Sequence, residues 1–147
     1  MITKTSGEYR TMRAWFRDVV GGKNMVLCHA SALEYLQLFS GYLNENRIDV
    51  YAKEAELYEN IRYRIVNDFS NLDIVKFGGV QCTSASQTFN DMLRDYKNTD
   101  EQALIEGLSE YYYTNNESFD GLIIHSSNIK VFNEIKYHAL EYYGKRY

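Results

Sequence analysis

Apolar side chains in the first part of the chain recur at the spacing of an α-helix. Over residues 5–20 they fall every three or four positions, which predicts an amphipathic helix. Thr5 and Glu8 have the spacing of a capping box at its start, and Gly21 is suited to the left-handed conformation that ends a helix. We therefore expect a first helix over residues 5–20.

A short apolar segment, residues 25–28, precedes a second helical pattern. This pattern begins near Ser31, and Glu34 follows three residues later, again with capping-box spacing. Leu33 would lie on the buried side of the helix, and Gly41 would end it. The first part of the chain therefore predicts a pair of helices.

Between residues 47 and 84 the pattern changes from a helical period to alternation. Apolar residues alternate with Arg62 and Arg64, as in a strand with one buried face. Gly78 and Gly79, between two further alternating stretches, are a hairpin signal. We expect about four strands, at 47–52, 61–66, 72–77 and 80–84, with 53–60 as a short helix or loop between the first two.

From residue 84 onward the pattern is helical again. The stretch 80–96 changes from strand-like alternation to a helix whose first turn is polar. Thr99 or Asp100 would cap the next helix. We expect helices over 85–96, 100–113, 118–125 and 128–144.

The order of these elements predicts an α+β protein. A small four-stranded, mostly antiparallel sheet would lie between an N-terminal helix pair and a C-terminal helical bundle. A length of 147 residues is that of one ordinary domain, so residues 1–147 are expected to fold as a single domain. Its parts would be a basic N-terminal helix at 1–23, a helix plus the sheet at 24–84, and the helical bundle at 85–147.

The composition is that of a soluble globular protein, with 45% hydrophobic and 24% charged residues. No apolar run approaches the roughly 20 residues of a membrane-spanning helix, and residues 1–10 lack the hydrophobic core of a secretory signal. Cys28 and Cys82 lie in apolar stretches and are expected to be buried and reduced. These observations predict a cytoplasmic protein that does not contact a membrane.

Charge is distributed unevenly along the chain. Residues 1–23 hold five basic and two acidic side chains, a net charge of +3, whereas the other 124 residues hold 11 basic and 18 acidic side chains, a net charge of −7. An acidic body repels nucleic acid and attracts a basic protein partner. Arg10, Arg13 and Arg17 form a stripe at helical spacing, which would contact nucleic acid weakly, contact a partner protein, or form the wet side of its helix.

The sequence carries no signature of a metal, nucleotide or nucleophile site. The three histidines lack the spacing of a zinc-binding helix, and the two Gly-Gly pairs belong to no phosphate-binding loop. His29 follows Cys28, but neighbours on a strand face opposite sides, so a partly buried histidine at a helix start is expected instead of a nucleophile and its base. No cofactor or metal is expected.

Asp91 and Asp95 are the remaining candidates for chemistry. They stand at i and i+4 on a predicted helix and could share a cation or a proton. Arg94 and Lys97 lie near enough to neutralise them, as on an ordinary solvated face. An enzyme that uses this pair is the least favoured hypothesis. We expect polar groups to cap helices and cover the surface, with none gathered for a reaction.

Two stretches carry a resemblance to a known family. "CHASALEYL" (28–36) precedes the alternating strands, and "VQCTSASQTFNDML" (80–93) precedes the all-helical end. This order resembles the C-terminal domain of AbiEi-type antitoxins, which belong to abortive-infection toxin–antitoxin pairs directed against phage. The resemblance covers about residues 24–143. Its motif positions are Ser31, Ala32 and Leu33 in the first stretch and Thr88 and Asp91 in the second.

The resemblance implies an antitoxin-like bacterial protein that counteracts a nucleotidyltransferase-like toxin. In that family this reportedly occurs without a stable complex. Family members usually carry an N-terminal winged helix for DNA binding and self-repression, whereas about 24 residues precede the matching region here. Autoregulation of transcription is therefore not expected. At the matching positions Ser31 would cap a helix, Ala32 and Leu33 would pack it, and Thr88 and Asp91 would form hydrogen bonds near the start of the next helix.

The leading hypothesis is thus a non-enzymatic antitoxin domain that acts by surface recognition of a toxin. The alternative is a phage or mobile-element protein that inhibits a host nuclease or defence complex. An acidic surface rich in tyrosine, of which there are 14, suits a basic partner of that kind.

Overall fold

The computed structural model describes residues 12–41, 47–56 and 60–144. The first six elements are α1 (Met12–Val20), β1 (Met25–Leu27), α2 (His29–Tyr35), β2 (Ile48–Ala52), β3 (Ile61–Ile65) and β4 (Ile74–Phe77). They are followed by β5 (Val80–Thr83), α3 (Ala85–Arg94), α4 (Glu101–Thr114) and α5 (Ile129–Gly144), with short 3-10 turns at Tyr96–Asn98 and Ser126–Asn128. The predicted α+β class is confirmed.

The sheet differs from the predicted one in size and direction. It has five strands in the order β3-β2-β1-β5-β4. The pairs β1–β2 and β4–β5 are antiparallel, whereas β1–β5 and β2–β3 are parallel, so the sheet is mixed. The prediction of four mostly antiparallel strands was wrong because the short apolar segment Met25–Leu27 is the central strand. Three buried residues are too few to show alternation.

The two faces of the sheet are covered by different parts of the chain. Helices α1 and α2 pack on one face, where Phe16 and Tyr35 join alternate residues of β1, β2 and β5 in one buried cluster. On the opposite face Val26, Cys28 and Tyr51 are covered by the segment after β3. Both cysteines are free and buried, as the sequence predicted.

The helices after the sheet form a second core. Leu33 of α2, Phe89 of α3 and Leu104 of α4 are fully buried in it, together with apolar residues of α5. Gly107 lets α4 approach the first two of these side chains. A Cβ at residue 107 would lie 2.9 Å from Leu33 Cδ1 and 3.2 Å from Phe89 Cε1. Helix α2 therefore joins the sheet core to the helical core.

Several predicted helix limits are confirmed and others need correction. Asp100 caps α4, because its side chain accepts the Ala103 amide at 3.0 Å. The predicted hairpin is also confirmed, with positive φ at both Gly78 and Gly79. The predicted helix over 118–125 is wrong: those residues form turns and extended chain before the 3-10 turn Ser126–Asn128.

Helix α1 ends at Val20 as predicted, but the residue that takes the left-handed conformation after it and the end of α2 were predicted incorrectly. The Gly21 amide still bonds to the Arg17 carbonyl at 2.9 Å, so the left-handed residue is Gly22, with φ +72°. Helix α2 ends at Tyr35, well before Gly41, because Gln37 takes the left-handed position (φ +64°) of a Schellman motif. In this motif the Leu38 amide donates to the Leu33 carbonyl at 2.8 Å. The predicted cap at Thr5 and Glu8 lies outside the described residues.

One amide side chain, that of Asn90 on α3, holds the segment before α5 in place. Its Nδ2 donates to the Ile123 carbonyl at 2.7 Å, and its Oδ1 accepts the His125 amide and Asn128 Nδ2, each at 2.9 Å. Asn90 is 1% exposed and its bond to Asn128 is buried, whereas its bonds to residues 123 and 125 are partly buried, so the Asn128 amide has the least access to water if Asn90 is removed.

Asn90→Ala is therefore expected to lower the free energy of unfolding by about 2 kcal/mol, because it leaves buried donors and acceptors unpaired. Urea denaturation measures this change. Asn98→Ala is the matched control, since the Asn98 amide is exposed and bonds only to Asp95 among the described residues. Equal stability of the two variants would contradict the role assigned to Asn90.

Candidate functional site

Two strand-to-helix junctions lie side by side and carry the motif residues found in the sequence. Strands β1 and β5 are parallel neighbours with Leu27 opposite Cys82. Helix α2 follows β1 and helix α3 follows β5, so both helices leave the sheet at the same edge and pack on each other. Motif residues that are more than 50 positions apart in the sequence therefore meet in one region.

The second junction is built from hydroxyl groups. Ser84 is the N-cap of α3 and accepts the Gln87 amide at 3.1 Å. The Thr88 hydroxyl donates to the Ser84 carbonyl at 2.6 Å and contacts the Thr83 hydroxyl at 2.6 Å. The predicted role of Thr88 at the helix start is confirmed. This junction stabilises the fold and shows no arrangement for chemistry.

The first junction differs from its prediction. Helix α2 begins at His29, and Cys28 stands at the N-cap position without a side-chain cap bond. Ser31 therefore lies inside the first turn, where its Oγ accepts the amide of Asp49 on β2 at 2.8 Å. A contact with a distant strand has replaced the local capping bond that the sequence indicated. Ala32 and Leu33 are fully buried, as predicted.

Asp49 is the centre of a charged cluster on β2 and β3. Its carboxylate Oδ1 lies 2.9 Å from Arg64 Nη1 and 3.9 Å from Arg62 Nε. The strand register places Asp49 opposite Arg62 and Tyr51 opposite Arg64, so all four side chains project from the same face of the sheet. Asp49 is 7% exposed. A buried carboxylate is therefore shared by two guanidinium groups.

His29 lies beside this cluster as a buried imidazole. Its ring centroid is 5.9 Å from that of Tyr51, and within the described part of the chain its Nδ1 has no hydrogen-bond partner. Burial, followed by the guanidinium groups of Arg64 and Arg94, lowers the pKa of His29 to about 3. His29 also has a positive φ of 53°, a strained conformation for a residue with a side chain. The imidazole is thus neutral at physiological pH.

His29 is expected to make the protein less stable in weak acid. The unfolded chain binds a proton at His29 below its ordinary pKa of about 6.5 while the folded chain does not, so stability falls as the pH falls from about 6.5 toward 3. Between pH 6 and pH 5 this loss is about 1 kcal/mol.

Urea denaturation of the wild type and of His29→Asn at pH 7, 6 and 5 measures this contribution. Asparagine tolerates the left-handed conformation and does not titrate. The loss between pH 6 and pH 5 should shrink in His29→Asn and persist in His138→Asn, because His138 is exposed. Identical losses in all three proteins would contradict a buried neutral His29.

The predicted carboxylate pair does not form. Asp91 is 1% exposed, and its Oδ1 accepts from Arg94 Nη2 at 2.8 Å and from Gln87 Nε2 at 3.0 Å. Asp95 is exposed beyond the end of α3 and accepts from Asn98 Nδ2 at 2.9 Å. The expected pairing of Asp91 with Arg94 is confirmed, but the expected solvated face is wrong, because Asp91 points into the protein.

Asp91 extends the charged cluster on the side of Tyr51 and Cys28. Its Oδ2 has no hydrogen-bond partner among the residues that the structure describes. Burial raises the pKa of Tyr51, and the nearby Asp91 carboxylate raises it further. Burial also raises the pKa of Cys28, followed by the effect of Asp49, so that thiol stays protonated and unreactive.

A cleft opens between this cluster and the segment that leads into α4. Its volume is about 70 Å³. Its walls are the N-terminal part of α2, strands β2 and β3 and the residues just before α4, and they include His29, Asp49, Arg47, Arg62, Arg64 and Asp100. The cleft therefore brings together polar groups that were not expected to meet, and the expectation that none of them serves a reaction stays a prediction. No group of three or more His, Cys, Asp or Glu residues in the described ranges could hold a metal ion.

Sequence reasoning missed the cleft because its residues come from three distant segments. One signal was present: Arg62 and Arg64 occupy one face of a strand, and Asp49 is an acid inside a short apolar strand. Pairing these two strands in the observed register would have brought the charges together. The register itself is set by tertiary packing and cannot be read from the pattern alone.

The arginine stripe is only partly within the described residues. Arg10 and the side chain of Arg13 lie outside them. Arg17 is exposed in the last turn of α1, and its guanidinium lies beside the β4–β5 hairpin, with Nη2 3.7 Å from the place that a Cβ on Gly78 would occupy. Arg17 is therefore on the surface, and its role in binding remains a prediction.

A second concave surface lies between α4 and α5. This α4–α5 groove has a volume of about 600 Å³ and is lined by Glu101, Gln102, Ile105, His138, Glu141 and Tyr142. On the other side of α4 a smaller acidic hollow of about 300 Å³ is bordered by Glu34, Glu106 and Glu110. The two surfaces make α4 the centre of an acidic face with apolar and aromatic patches.

A scan against the models of known protein families gave no match, and a search of the curated proteins found no sequence relative. None of the helices in the described ranges is long and apolar enough to cross a membrane.

Proposed function

We propose that this chain is an antitoxin-like protein that counteracts a nucleotidyltransferase-type toxin by surface recognition, without catalysis of its own. The protein would be cytoplasmic, a single domain, and part of a bacterial phage-defence system. The observation that carries the proposal is the meeting of the two motif-bearing stretches. Ser31 and Asp91 come from separate junctions, and each contacts the charged cluster or the cleft beside it.

The α4–α5 groove supports recognition of a protein. It combines Glu101 and Glu141 with the apolar Ile105 and the aromatic ring of Tyr142. Such a mixture of an apolar centre and a charged rim is typical of protein–protein contacts. The acidic rim favours a basic partner through electrostatic attraction, which mainly raises the rate of association.

The partly exposed charges of the cleft do not require catalysis to explain them. Asp49 is neutralised by Arg64, the Cys28 thiol is protonated, and the His29 imidazole is neutral and buried. A nucleophile and a base in hydrogen-bond contact are the usual requirement for covalent chemistry. No such pair occurs among these described side chains, and the proposal therefore assigns them to binding and stability.

Coexpression tests the proposal. The chain should restore the growth of cells that produce the nucleotidyltransferase encoded beside its gene, because the antitoxin would act on that enzyme. Growth on inducing medium is the measurement, with immunoblots of both proteins as the control for expression. Continued growth arrest while both proteins accumulate would contradict the proposal.

The alternative function is inhibition of a host nuclease or defence complex by a phage or mobile-element protein. The same acidic groove favours it, since nucleic-acid-binding enzymes carry basic surfaces. Affinity capture from host lysate should then recover a large basic protein, and purified chain should inhibit that protein in a nuclease assay. Recovery of no such protein would contradict the alternative and leave the coexpression result unaffected.

A further inference from the structure

We propose that the cleft beside Asp49 binds the phosphate group of a small phosphorylated molecule. This ligand site goes beyond the proposed antitoxin function and does not depend on it. Three guanidinium groups, those of Arg47, Arg62 and Arg64, line a cavity of about 70 Å³. Arginine is the residue best suited to phosphate, because its planar fork of donors matches the phosphate oxygens.

The charges in the cleft are arranged so that two arginines remain available. Arg64 is fixed on Asp49 at 2.9 Å, whereas Arg62 reaches the same oxygen only at 3.9 Å and its side chain is 47% exposed. Arg47 is exposed at the cleft and forms no ion pair with a described residue. A phosphate with two negative charges would complement the positive charges of Arg62 and Arg47.

Each of the acidic groups that line the cleft also has a contact of its own. Asp49 is held by Arg64, and Asp100 accepts the Ala103 amide as the cap of α4. Glu34 directs its carboxylate toward Gly41, where an added Cβ would lie 2.5 Å from Oε1. These contacts reduce the repulsion that the acids would exert on an incoming anion.

His29 gives independent support from the other side of the cleft. The residue is 9% exposed, and its Nδ1 has no described hydrogen-bond partner. Burial lowers the pKa of His29 most, followed by the guanidinium groups of Arg64 and Arg94. Asp95 raises it by a smaller effect than either arginine and Arg62 lowers it again, so the charges create a positive potential at the ring. A bound anion would offset that potential, and its binding would raise the pKa of His29.

The size of the cleft limits what enters it. A cavity needs roughly 10–15 Å³ of space to hold one water molecule, so a cleft of about 70 Å³ has room for a phosphate group. The organic part of a phosphate ester would extend past the exposed Arg47 and Arg62 into solvent. Inorganic phosphate and nucleotides both carry the phosphate group that the cleft would bind. The experiment therefore has to distinguish between these two kinds of ligand.

Isothermal titration of the full chain with inorganic phosphate, adenosine monophosphate and adenosine tests the site. The ionic strength is held constant with sodium chloride. Saturable binding of inorganic phosphate is expected, with an affinity reduced about tenfold or more in Arg62→Gln and in Arg47→Gln, since each loses a charge-assisted hydrogen bond. Arg17→Gln is the matched control, because it removes an equal charge outside the cleft and should bind as the wild type does.

The three ligands distinguish the source of the phosphate. Tighter binding of adenosine monophosphate than of inorganic phosphate, with the same loss in Arg62→Gln, would identify a nucleotide ligand, whereas equal affinities would identify the phosphate group alone. Adenosine should not bind. Arg62→Gln leaves the pair of Asp49 and Arg64 intact, so thermal denaturation should show it folded. No saturable phosphate binding, or binding equal in wild type and in both cleft variants, would overturn the proposal.

Discussion

Phe89→Ala is expected to lower the free energy of unfolding by about 4 kcal/mol, because a fully buried aromatic ring would be replaced by a cavity. Phe89 lies where α2, α3 and α4 meet. Its Cε1 would lie 3.2 Å from a Cβ on Gly107, which is a tight contact, and its ring meets that of Tyr111 edge-on with the centroids 6.3 Å apart. The surrounding helices are held by other contacts and cannot collapse fully into the space.

Guanidinium denaturation of the wild type and Phe89→Ala measures the loss. Tyr137→Ala is the control, since Tyr137 is an aromatic residue of α5 that is 62% exposed, and its removal should change the free energy of unfolding by less than about 0.5 kcal/mol. A loss below about 1 kcal/mol in Phe89→Ala would mean that the helical core is not packed as described.

Asp49→Asn should lower the free energy of unfolding by about 3 kcal/mol, because it leaves the Arg64 guanidinium without its counter-charge. The Arg64 side chain is 28% exposed, so water can solvate its unpaired charge in the variant. The expected loss therefore lies at the lower end of the range for breaking a buried ion pair. Asn keeps the shape of the side chain, and the Asp49 amide keeps its bond to Ser31. The loss of stability in Asp49→Asn therefore measures the contribution of the negative charge on Asp49.

A double-mutant cycle of Asp49→Asn and Arg64→Gln measures the interaction energy between these two side chains, apart from their contacts with other residues. The two single variants should each be destabilised, and the double variant should be less destabilised than the sum of the two. Asp73→Asn serves as the control, because that carboxylate is exposed and has no ion pair with a described residue. Additive effects of the two substitutions would contradict a direct interaction between Asp49 and Arg64.

The sequence predicted correctly those elements that depend on residues close together in the chain. Helices α4 and α5 have clear periods and, in α4, a capping aspartate, so their positions agree with the prediction. The Gly78-Gly79 hairpin was predicted because positive φ at two successive residues requires glycine. Strand β1 was missed because its three residues are buried on both faces.

The candidate site depends on tertiary contacts and was less accessible to sequence reasoning. Ser31 was predicted to cap its own helix, yet its hydroxyl accepts a bond from Asp49, 18 residues away. Asp91 was predicted to lie in solvent because charged residues at i, i+4 spacing usually do, but a close packing of α3 against the sheet buries it. The antitoxin assignment, which rests on resemblance, stays a prediction.

The growth of toxin-producing cells in the presence of groove variants tests the central claim, which is recognition through the α4–α5 groove. The double variant Glu101→Lys/Glu141→Lys reverses the charge of the groove, and Glu54→Lys/Glu56→Lys makes the same net change at exposed residues between β2 and β3. The groove variant should fail to restore growth, while the control variant should restore it as the wild type does. Equal restoration by both variants, at equal protein levels, would contradict it.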